Sequence, residues 1–154
     1  MESVEEIIDF AGVTKEDIVY DLGCGDGRLC IAASRKAGCR SVGIEIEPHV
    51  AEKARAAAQE AGLSHLVTII EGDLETTSFA DATLIFVFLL PEALEKLKPL
   101  LTNALKTSTS TSSSAKKKPR LVSVHFDFGE DWPPSRKSDN GLFLYDASSV
   151  QGTT

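Results

Sequence analysis

Glycines and carboxylates in this sequence have the spacing of a ligand-binding loop with polar neighbours. The stretch "VYDLGCGDGRL", Val19–Leu29, carries glycines at positions 23, 25 and 27 directly after an apolar run. A loop rich in glycine lets the backbone pass close to a ligand, because glycine has no side chain. Asp21 stands just before this loop, and Glu45 in "GIEI" and Asp73 in "EGDL" follow later apolar runs. We therefore expect a ligand site lined with carboxylates around the glycine loop.

The exact spacing of the glycines argues against a dinucleotide. The dinucleotide fingerprint G-x-G-x-x-G uses its third glycine to pack the helix closely on the strand. Counted from Gly23, that third position is Arg28, a large charged residue. Clustered carboxylates would also repel a pyrophosphate, whereas they suit a ligand that offers hydroxyls, amino groups or positive charge. A dehydrogenase is therefore disfavoured.

The three acids are expected to meet at one edge of a sheet. Apolar runs typical of strands alternate with helical patterns, which predicts an α/β fold with a doubly wound, mostly parallel sheet. In such a sheet the carboxyl ends of neighbouring strands border one crevice, where ligands bind. The predicted strands cover residues 17–22, 41–46, 66–70, 82–90, 121–126 and 141–147.

Two of the predicted helices carry clear boundary signals. Ser3 is expected to cap a first helix, Val4–Ala11, with Glu6 in the capping-box position. A helix that begins at Pro91, after the fourth strand, is expected to kink or break near Pro99, since proline cannot donate the helical hydrogen bond.

Length and composition predict a single domain over residues 1–154. The chain has 154 residues, of which 42% are hydrophobic, and this is enough for an ordinary core. It has no apolar run long enough for a membrane span. Residues 106–120, "KTSTSTSSSAKKKPR", have no apolar face and predict a mobile Ser/Thr/Lys-rich loop. Residues 148–154 predict a frayed tail.

Charge and cysteine content limit the possible functions. The formal net charge of −7 argues against binding of nucleic acid through its phosphates. Cys24, Cys30 and Cys39 lack the spacing of metal ligands, so we expect reduced thiols and no metal site. The acidic start "MESVEEIIDF" is unlike a signal or transit peptide. We expect an intracellular protein that is cytoplasmic, or mitochondrial if an N-terminal segment is missing.

The motifs resemble those of class I S-adenosylmethionine-dependent methyltransferases. "VYDLGCGDGR", "GIEI" and "EGDL" have the order and spacing of that family's glycine motif and of the acids after its second and third strands. The resemblance implies S-adenosylmethionine as the cofactor. It also implies that Asp21 holds the cofactor's ammonium, directly or through water, and that Gly23, Cys24 and Gly25 lie against its methionine part.

The same resemblance assigns the nucleoside contacts. It implies that Glu45 accepts hydrogen bonds from the ribose hydroxyls and Asp73 from the adenine amino group. Ile46 and Leu74 are expected to flank the adenine ring, and Phe88 is a further candidate for a cofactor contact.

The segment after the fourth strand favours lysine as the methylated group. Enzymes that methylate bases or amides resemble one another in an Asn/Asp-Pro-Pro-Tyr/Phe motif, whereas this chain has "FVFLLPEAL". Together with "RLVSVHFDF…W" and "GLFLY", this segment resembles the small protein-lysine methyltransferases of archaea and mitochondria. Leu90, Pro91 and Glu92 are the expected substrate-facing residues. An apolar wall of Phe86, Phe88 and Leu90 would remove the target amine from water and lower its pKa.

Two other functions stay open from the sequence. A small-molecule N- or O-methyltransferase and a non-catalytic S-adenosylmethionine-binding protein within a larger complex would share the cofactor motifs. No catalytic residue is assigned, because methyl transfer to an amine is an in-line displacement in which alignment supplies much of the rate. The expected partner is a protein that presents a lysine side chain, without nucleic acid or a membrane span. The sequence does not indicate an oligomeric state.

Overall fold

The computed structural model describes residues 3–106 and 118–150. Its helices are α1 (Val4–Ala11), α2 (Arg28–Ala37), α3 (Pro48–Glu60) and α4 (Pro91–Lys106), with a short 3-10 helix at Ala147–Val150. Its strands are β1 (Ile18–Leu22), β2 (Arg40–Glu45), β3 (Val67–Glu71), β4 (Leu84–Val87), β5 (Arg120–Val124), β6 (Arg136–Lys137) and β7 (Leu142–Tyr145). Strands and helices alternate as predicted, but β4 is shorter than expected and β6 was not predicted.

The seven strands form one sheet in the order β3-β2-β1-β4-β5-β7-β6. Neighbours among the first five strands are parallel, and β7 pairs antiparallel with both β5 and β6. This arrangement confirms the predicted doubly wound, mostly parallel α/β fold. The chain runs outward from β1 to β3 on one side and from β4 to β6 on the other. The switch point therefore lies between β1 and β4, where such sheets open a ligand crevice.

The central strand β4 shows that both faces of the sheet are covered. All four of its residues are buried, and they alternate between two apolar clusters. Ile85 and Val87 pack with α4, whereas Leu84 and Phe86 pack with α1 and α2. This alternation follows from the two-residue period of a strand. Phe86 is fully buried in the core, so the expectation that it helps to wall a substrate channel is wrong.

The first helix forms as its capping signals predict. The Ser3 hydroxyl accepts from the Glu6 N–H at 3.1 Å, and the Glu6 carboxylate accepts from the Ser3 N–H at 3.2 Å. At the other end of α1, the Arg120 guanidinium donates to the Ala11 carbonyl at 2.9 Å and forms a 2.9 Å ion pair with buried Asp17. These contacts join α1 to the amino end of the sheet.

Three expectations about the rest of the chain have different outcomes. α4 continues past Pro99 to Lys106, so the predicted break is wrong. The frayed tail is corrected for residues 148–150, because they belong to the 3-10 helix and Val150 is fully buried in the core. Residues 107–117 of the predicted mobile loop and 151–154 of the predicted tail lie outside the described residues. No described helix is long and apolar enough to cross a membrane.

Candidate functional site

The glycine loop follows β1 and is bonded to the end of β2. Gly23, Gly25 and Gly27 have φ values of 79°, 57° and 82°, a backbone region in which side chains are strained. The N–H groups of Gly23 and Cys24 both donate to the Ile44 carbonyl, at 2.8 and 2.9 Å. The loop therefore lies across the carboxyl ends of β1 and β2, at the predicted crevice.

A glycine inside β2 allows this close approach. A Cβ atom at Gly43 would lie 2.6 Å from the Cys24 Sγ atom, which is closer than real Cβ atoms come. Burial of the Cys24 thiol, with the nearby charges of Asp21 and Glu45, raises its pKa to about 12. Cys24 thus packs the loop against β2 as a neutral thiol. The three cysteines are buried without disulfides, and no group of metal-ligating side chains occurs among residues 3–106 and 118–150.

Glu45, the last residue of β2, is held by backbone donors. Its Oε1 accepts from the Gly25 N–H at 2.9 Å, and its Oε2 accepts from the Glu47 N–H at 3.2 Å. A carboxylate has about four acceptor positions, so these two bonds orient Glu45 and leave capacity for a ligand. The sequence did not predict the bond from Glu45 to the glycine loop.

Asp21, near the end of β1, is a buried carboxylate. Burial is the main cause that raises its pKa to about 7, and the charges of Glu45 and Asp26 raise it further. Within the part of the chain that the structure describes, no group donates a hydrogen bond to the Asp21 carboxylate or forms an ion pair with it. Asp26 is instead paired with Arg28 at 2.7 Å on the surface. A positively charged ligand group would therefore satisfy Asp21.

Two hollows meet at Gly23 and together form the crevice. The first, which we call the α1 hollow, has a volume of about 310 Å³ and is lined by Val4, Ile7, Asp21, Gly23, Cys24, Gly25, Asp26, Arg28, Leu29 and Phe88. The second, the α4 hollow, has a volume of about 370 Å³ and is lined by Gly23, Ile44, Glu45, Ile46, Asp73, Leu74, Glu75, Leu89, Ala93, Lys96 and Leu97.

All the residues predicted to bind the cofactor line one of these hollows. The α1 hollow contains Asp21, Gly23, Cys24, Gly25 and Phe88, and the α4 hollow contains Gly23, Glu45, Ile46, Asp73 and Leu74. The oxygen acceptors and exposed apolar side chains suit a nucleoside, and the buried Asp21 suits an ammonium. The chemistry of these residues therefore fits S-adenosylmethionine, which carries an ammonium, a sulfonium and two ribose hydroxyls.

The predicted substrate-facing residues lie outside both hollows. Leu90 is 68% exposed in the connection between β4 and α4, and Glu92 is exposed in the first turn of α4. Pro91 lines a separate groove beside the end of β5. The structure thus keeps these three residues near the crevice by chain connectivity, without placing them in its lining.

Several lining residues were missed because their position depends on topology. Val4 and Ile7 belong to the apolar stripe of α1, whose spacing predicted only core packing. Leu89 was assigned to the fourth strand, but the chain leaves the sheet after Val87 and turns Leu89 into the α4 hollow. Lys96 projects into that hollow from α4. The spacing of α4 carried no signal for this contact.

The hairpin of β6 and β7 holds α1 beside its hollow. The Asn140 side-chain amide donates to the Glu6 carboxylate at 2.7 Å. The Arg136 guanidinium lies 4.4 Å from the centre of the Phe10 ring and donates to the Phe10 carbonyl at 3.2 Å. Residues far apart in the sequence therefore position the helix that closes one side of the crevice.

Trp132 and Tyr145 are anchors of the core. Trp132 is 1% exposed and packs on Phe128 with ring centres 4.7 Å apart. The Tyr145 hydroxyl accepts from the Phe128 N–H at 3.1 Å, and burial raises its pKa to about 12. Of the two readings open from the sequence, the structure favours the loop anchor over the substrate-facing role.

Comparison with known proteins agrees with this geometry. The family model of the ANTKMT methyltransferase domain matches residues 21–136. The protein-lysine N-methyltransferase of Saccharolobus islandicus (strain REY15A) is 36% identical over 132 residues, which are 85% of this chain and 75% of that protein. A human lysine N-methyltransferase named for its action on ATP synthase is 26% identical over 152 residues, and the match covers 97% of this chain and 60% of that protein.

A solved structure gives the same fold with a bound ligand. The crystal structure of an RNA methyltransferase from Salinibacter ruber, in complex with S-adenosyl-L-homocysteine, has a TM-score of 0.79 and 40% sequence identity. The match covers 92% of this chain and 86% of that one. S-adenosyl-L-homocysteine is what remains of S-adenosylmethionine after methyl transfer, so S-adenosylmethionine is the cofactor. The chain therefore belongs to the ANTKMT methyltransferase domain family and is a class I, S-adenosylmethionine-dependent methyltransferase.

Proposed function

We propose that this enzyme methylates the side-chain amine of lysine in protein substrates. The observation that carries the proposal is the 36% identity to a protein-lysine N-methyltransferase, along three quarters of that protein's length. The segment from Phe88 to Glu92 adds support, because it lacks the Asn or Asp acceptor typical of base and amide methylation.

We assign the cofactor contacts to the side chains that line the two hollows. Asp21 binds the ammonium, and Glu45, held by the Gly25 N–H, accepts from the ribose hydroxyls. Asp73 accepts from the adenine amino group between the apolar side chains of Ile46 and Leu74. When bound, S-adenosylmethionine supplies an electrophilic methyl group on a positively charged sulfur.

The protein must also make the lysine amine nucleophilic. With a pKa near ~10.4, a lysine side chain is only about 0.1% neutral at pH 7.4, which corresponds to a deficit of roughly 4 kcal/mol. Phe88 and Leu90, 53% and 68% exposed, offer apolar surface that removes water from the approaching ammonium and lowers its pKa. Exposed Glu92 attracts the cation, and alignment supplies the remaining rate without a dedicated base.

RNA methylation is the second candidate, because the Salinibacter ruber protein is described as an RNA methyltransferase. The two candidates separate in one experiment. The enzyme is incubated with S-adenosylmethionine labelled in its methyl group, and in separate reactions with total RNA and with a lysine-rich protein mixture. We expect label in the protein fraction, recovered after acid hydrolysis as methylated lysine.

A chemical control makes the result specific to lysine amines. Protein whose lysines have been blocked by exhaustive reductive methylation should accept no label. Label in RNA, with none in protein, would replace the proposed function by RNA methylation. Label that persists on the blocked protein would point to another side chain.

A further inference from the structure

A groove lies beside the α1 hollow, at the carboxyl end of β5. It has a volume of about 390 Å³, and its lining combines apolar side chains, among them Leu94 and Phe128, with the carboxylates of Glu95 and Asp127. We call it the β5 groove. Its residues come from α4 and from the segment after β5, so it shares no lining residue with either cofactor hollow.

An aromatic pair connects the β5 groove to the cofactor crevice. His125 lines the groove, and its ring centre lies 5.0 Å from that of Phe88, with an angle of 59° between the rings. Phe88 lines the α1 hollow. A chain bound in the groove therefore lies one aromatic pair away from the cofactor.

The backbone at His125 is held in an uncommon conformation. Its φ is 75°, and it is the one non-glycine residue with positive φ in the described ranges 3–106 and 118–150. Such conformations persist where the surroundings fix them, and they cluster at functional sites. The His125 N–H donates to the Gly141 carbonyl at 2.7 Å, so the hairpin of β6 and β7 fixes this turn. The turn places the His125 ring between groove and crevice.

The charge of the β5 groove is negative. Among the described residues that line it, Glu95 and Asp127 are acidic, and none is lysine or arginine. Asp127 is oriented by the Gly129 N–H, which donates to its Oδ1 at 3.1 Å. Glu95 forms a 3.2 Å ion pair with Lys98, but its side chain is 72% exposed, and such pairs contribute little. Asp127 therefore keeps acceptor capacity for a cation, with Glu95 as a second carboxylate.

We propose that the β5 groove binds the substrate segment next to the target lysine and selects a second positively charged side chain in it. Asp127 is the main specificity-determining residue, and the apolar lining contacts the intervening substrate residues. This inference rests on the proposed lysine methylation, because it assumes that the target amine enters the crevice past Phe88.

The test uses paired peptides and the wild-type enzyme. Each peptide contains a single lysine, and a series places arginine at one to five positions on either side of it. The matched peptide of each pair has glutamine in place of that arginine. We expect the arginine peptide to have a KM about fivefold lower than its glutamine partner at one or more spacings, as for a partly exposed ion pair.

Two variants locate this preference. Asp127→Asn keeps the acceptor for the Gly129 N–H but removes the charge, and it should bring the KM ratio of the two peptides close to one. Glu130→Gln, an equal charge change at an exposed residue outside the groove lining, should keep the wild-type ratio. A thermal unfolding curve for each variant verifies the fold.

The outcomes distinguish the two proposals. Equal KM values for both peptides at every spacing in the wild-type enzyme would overturn the groove, while methylated lysine in both would keep the proposed function. The groove proposal also fails if Asp127→Asn and Glu95→Gln both retain the preference. Absence of methyl-lysine from every peptide and from the protein mixture would overturn lysine methylation and the groove together.

Discussion

Replacing Asp21 by asparagine is expected to stabilise the cofactor-free enzyme at pH 8 while weakening its binding of S-adenosylmethionine. The Asp21 carboxylate is buried, and its pKa is raised to about 7, mainly by burial. A carboxylate whose pKa is higher in the folded than in the unfolded state destabilises the fold once it ionises. Asparagine removes that charge, and with it the partner that we assign to the ammonium of the cofactor.

The size of the effect follows from the two pKa values. Below the unfolded pKa of 3.8, both states are protonated and the penalty vanishes. The penalty grows as the pH rises and reaches about 4 kcal/mol above pH 7, at ~1.4 kcal/mol per pH unit. At pH 5 it is only about 1.6 kcal/mol, so the advantage of asparagine should increase by about 2–3 kcal/mol between pH 5 and pH 8. Any cost of the buried amide itself cancels in this difference.

Thermal unfolding of the cofactor-free protein at both pH values measures the effect. The Tm of Asp21→Asn relative to wild type should rise by about 5–10 °C from pH 5 to pH 8. Asp26→Asn is the matched control, because Arg28 lowers the pKa of Asp26 and asparagine there should not stabilise the protein at pH 8. Calorimetry should show cofactor affinity about 10- to 100-fold weaker in Asp21→Asn, the range for a hydrogen bond to a charged group.

Cofactor binding by the wild-type enzyme should also release a proton near pH 7. The bound ammonium favours the ionised form of Asp21 and lowers its pKa, so affinity should fall as the pH drops below 7. Calorimetry in buffers with different ionisation enthalpies counts this proton. A pH-independent stability difference, or unchanged cofactor affinity in Asp21→Asn, would refute the reasoning from an unpaired buried carboxylate.

Three further changes test other parts of the structure. Gly43→Ala should lower stability by about 1–3 kcal/mol and weaken cofactor binding, because the new Cβ would lie 2.6 Å from the Cys24 Sγ atom. Asp17→Asn should cost about 3–5 kcal/mol by leaving the Arg120 guanidinium, 15% exposed, without its paired charge. Asn140→Ala should raise the KM for S-adenosylmethionine about two- to tenfold with less effect on kcat, because it releases α1 from the hairpin.

Each of these changes has a matched control. Cys24→Ala in the Gly43→Ala background should restore part of the stability, and a strictly additive double variant would contradict the predicted clash. Denaturant unfolding of Asp17→Asn should give the stated loss at pH 7, and a loss below about 1 kcal/mol would contradict it. Lys137→Ala, an exposed change in the same hairpin, should leave the KM for S-adenosylmethionine unchanged. An equal rise in both hairpin variants would argue against a specific hold on α1.

Local sequence signals predicted most elements of this fold, because their physical causes act over a few residues. The capping box of Ser3 and Glu6 needs only a three-residue spacing, and it forms as predicted. Burial of both faces makes the central strand almost wholly apolar, which identified β4. The same uniform apolarity hid the end of β4, since nothing in "FVFLL" marks where the chain leaves the sheet. As a result Leu89, which lines the α4 hollow, was missed.

The sequence by itself determined the chemistry of the cofactor site. The glycines and the three acids lie at or just after the ends of strands, and parallel strands must end at one edge, so their convergence follows from order along the chain. Only the tertiary structure decided which surfaces close around that site. Val4 and Ile7 border the crevice because Asn140 and Arg136 hold α1 there, and the β5 groove exists because the backbone turns at His125. These contacts join residues more than a hundred positions apart or depend on one backbone angle, and neither leaves a periodic pattern in the sequence.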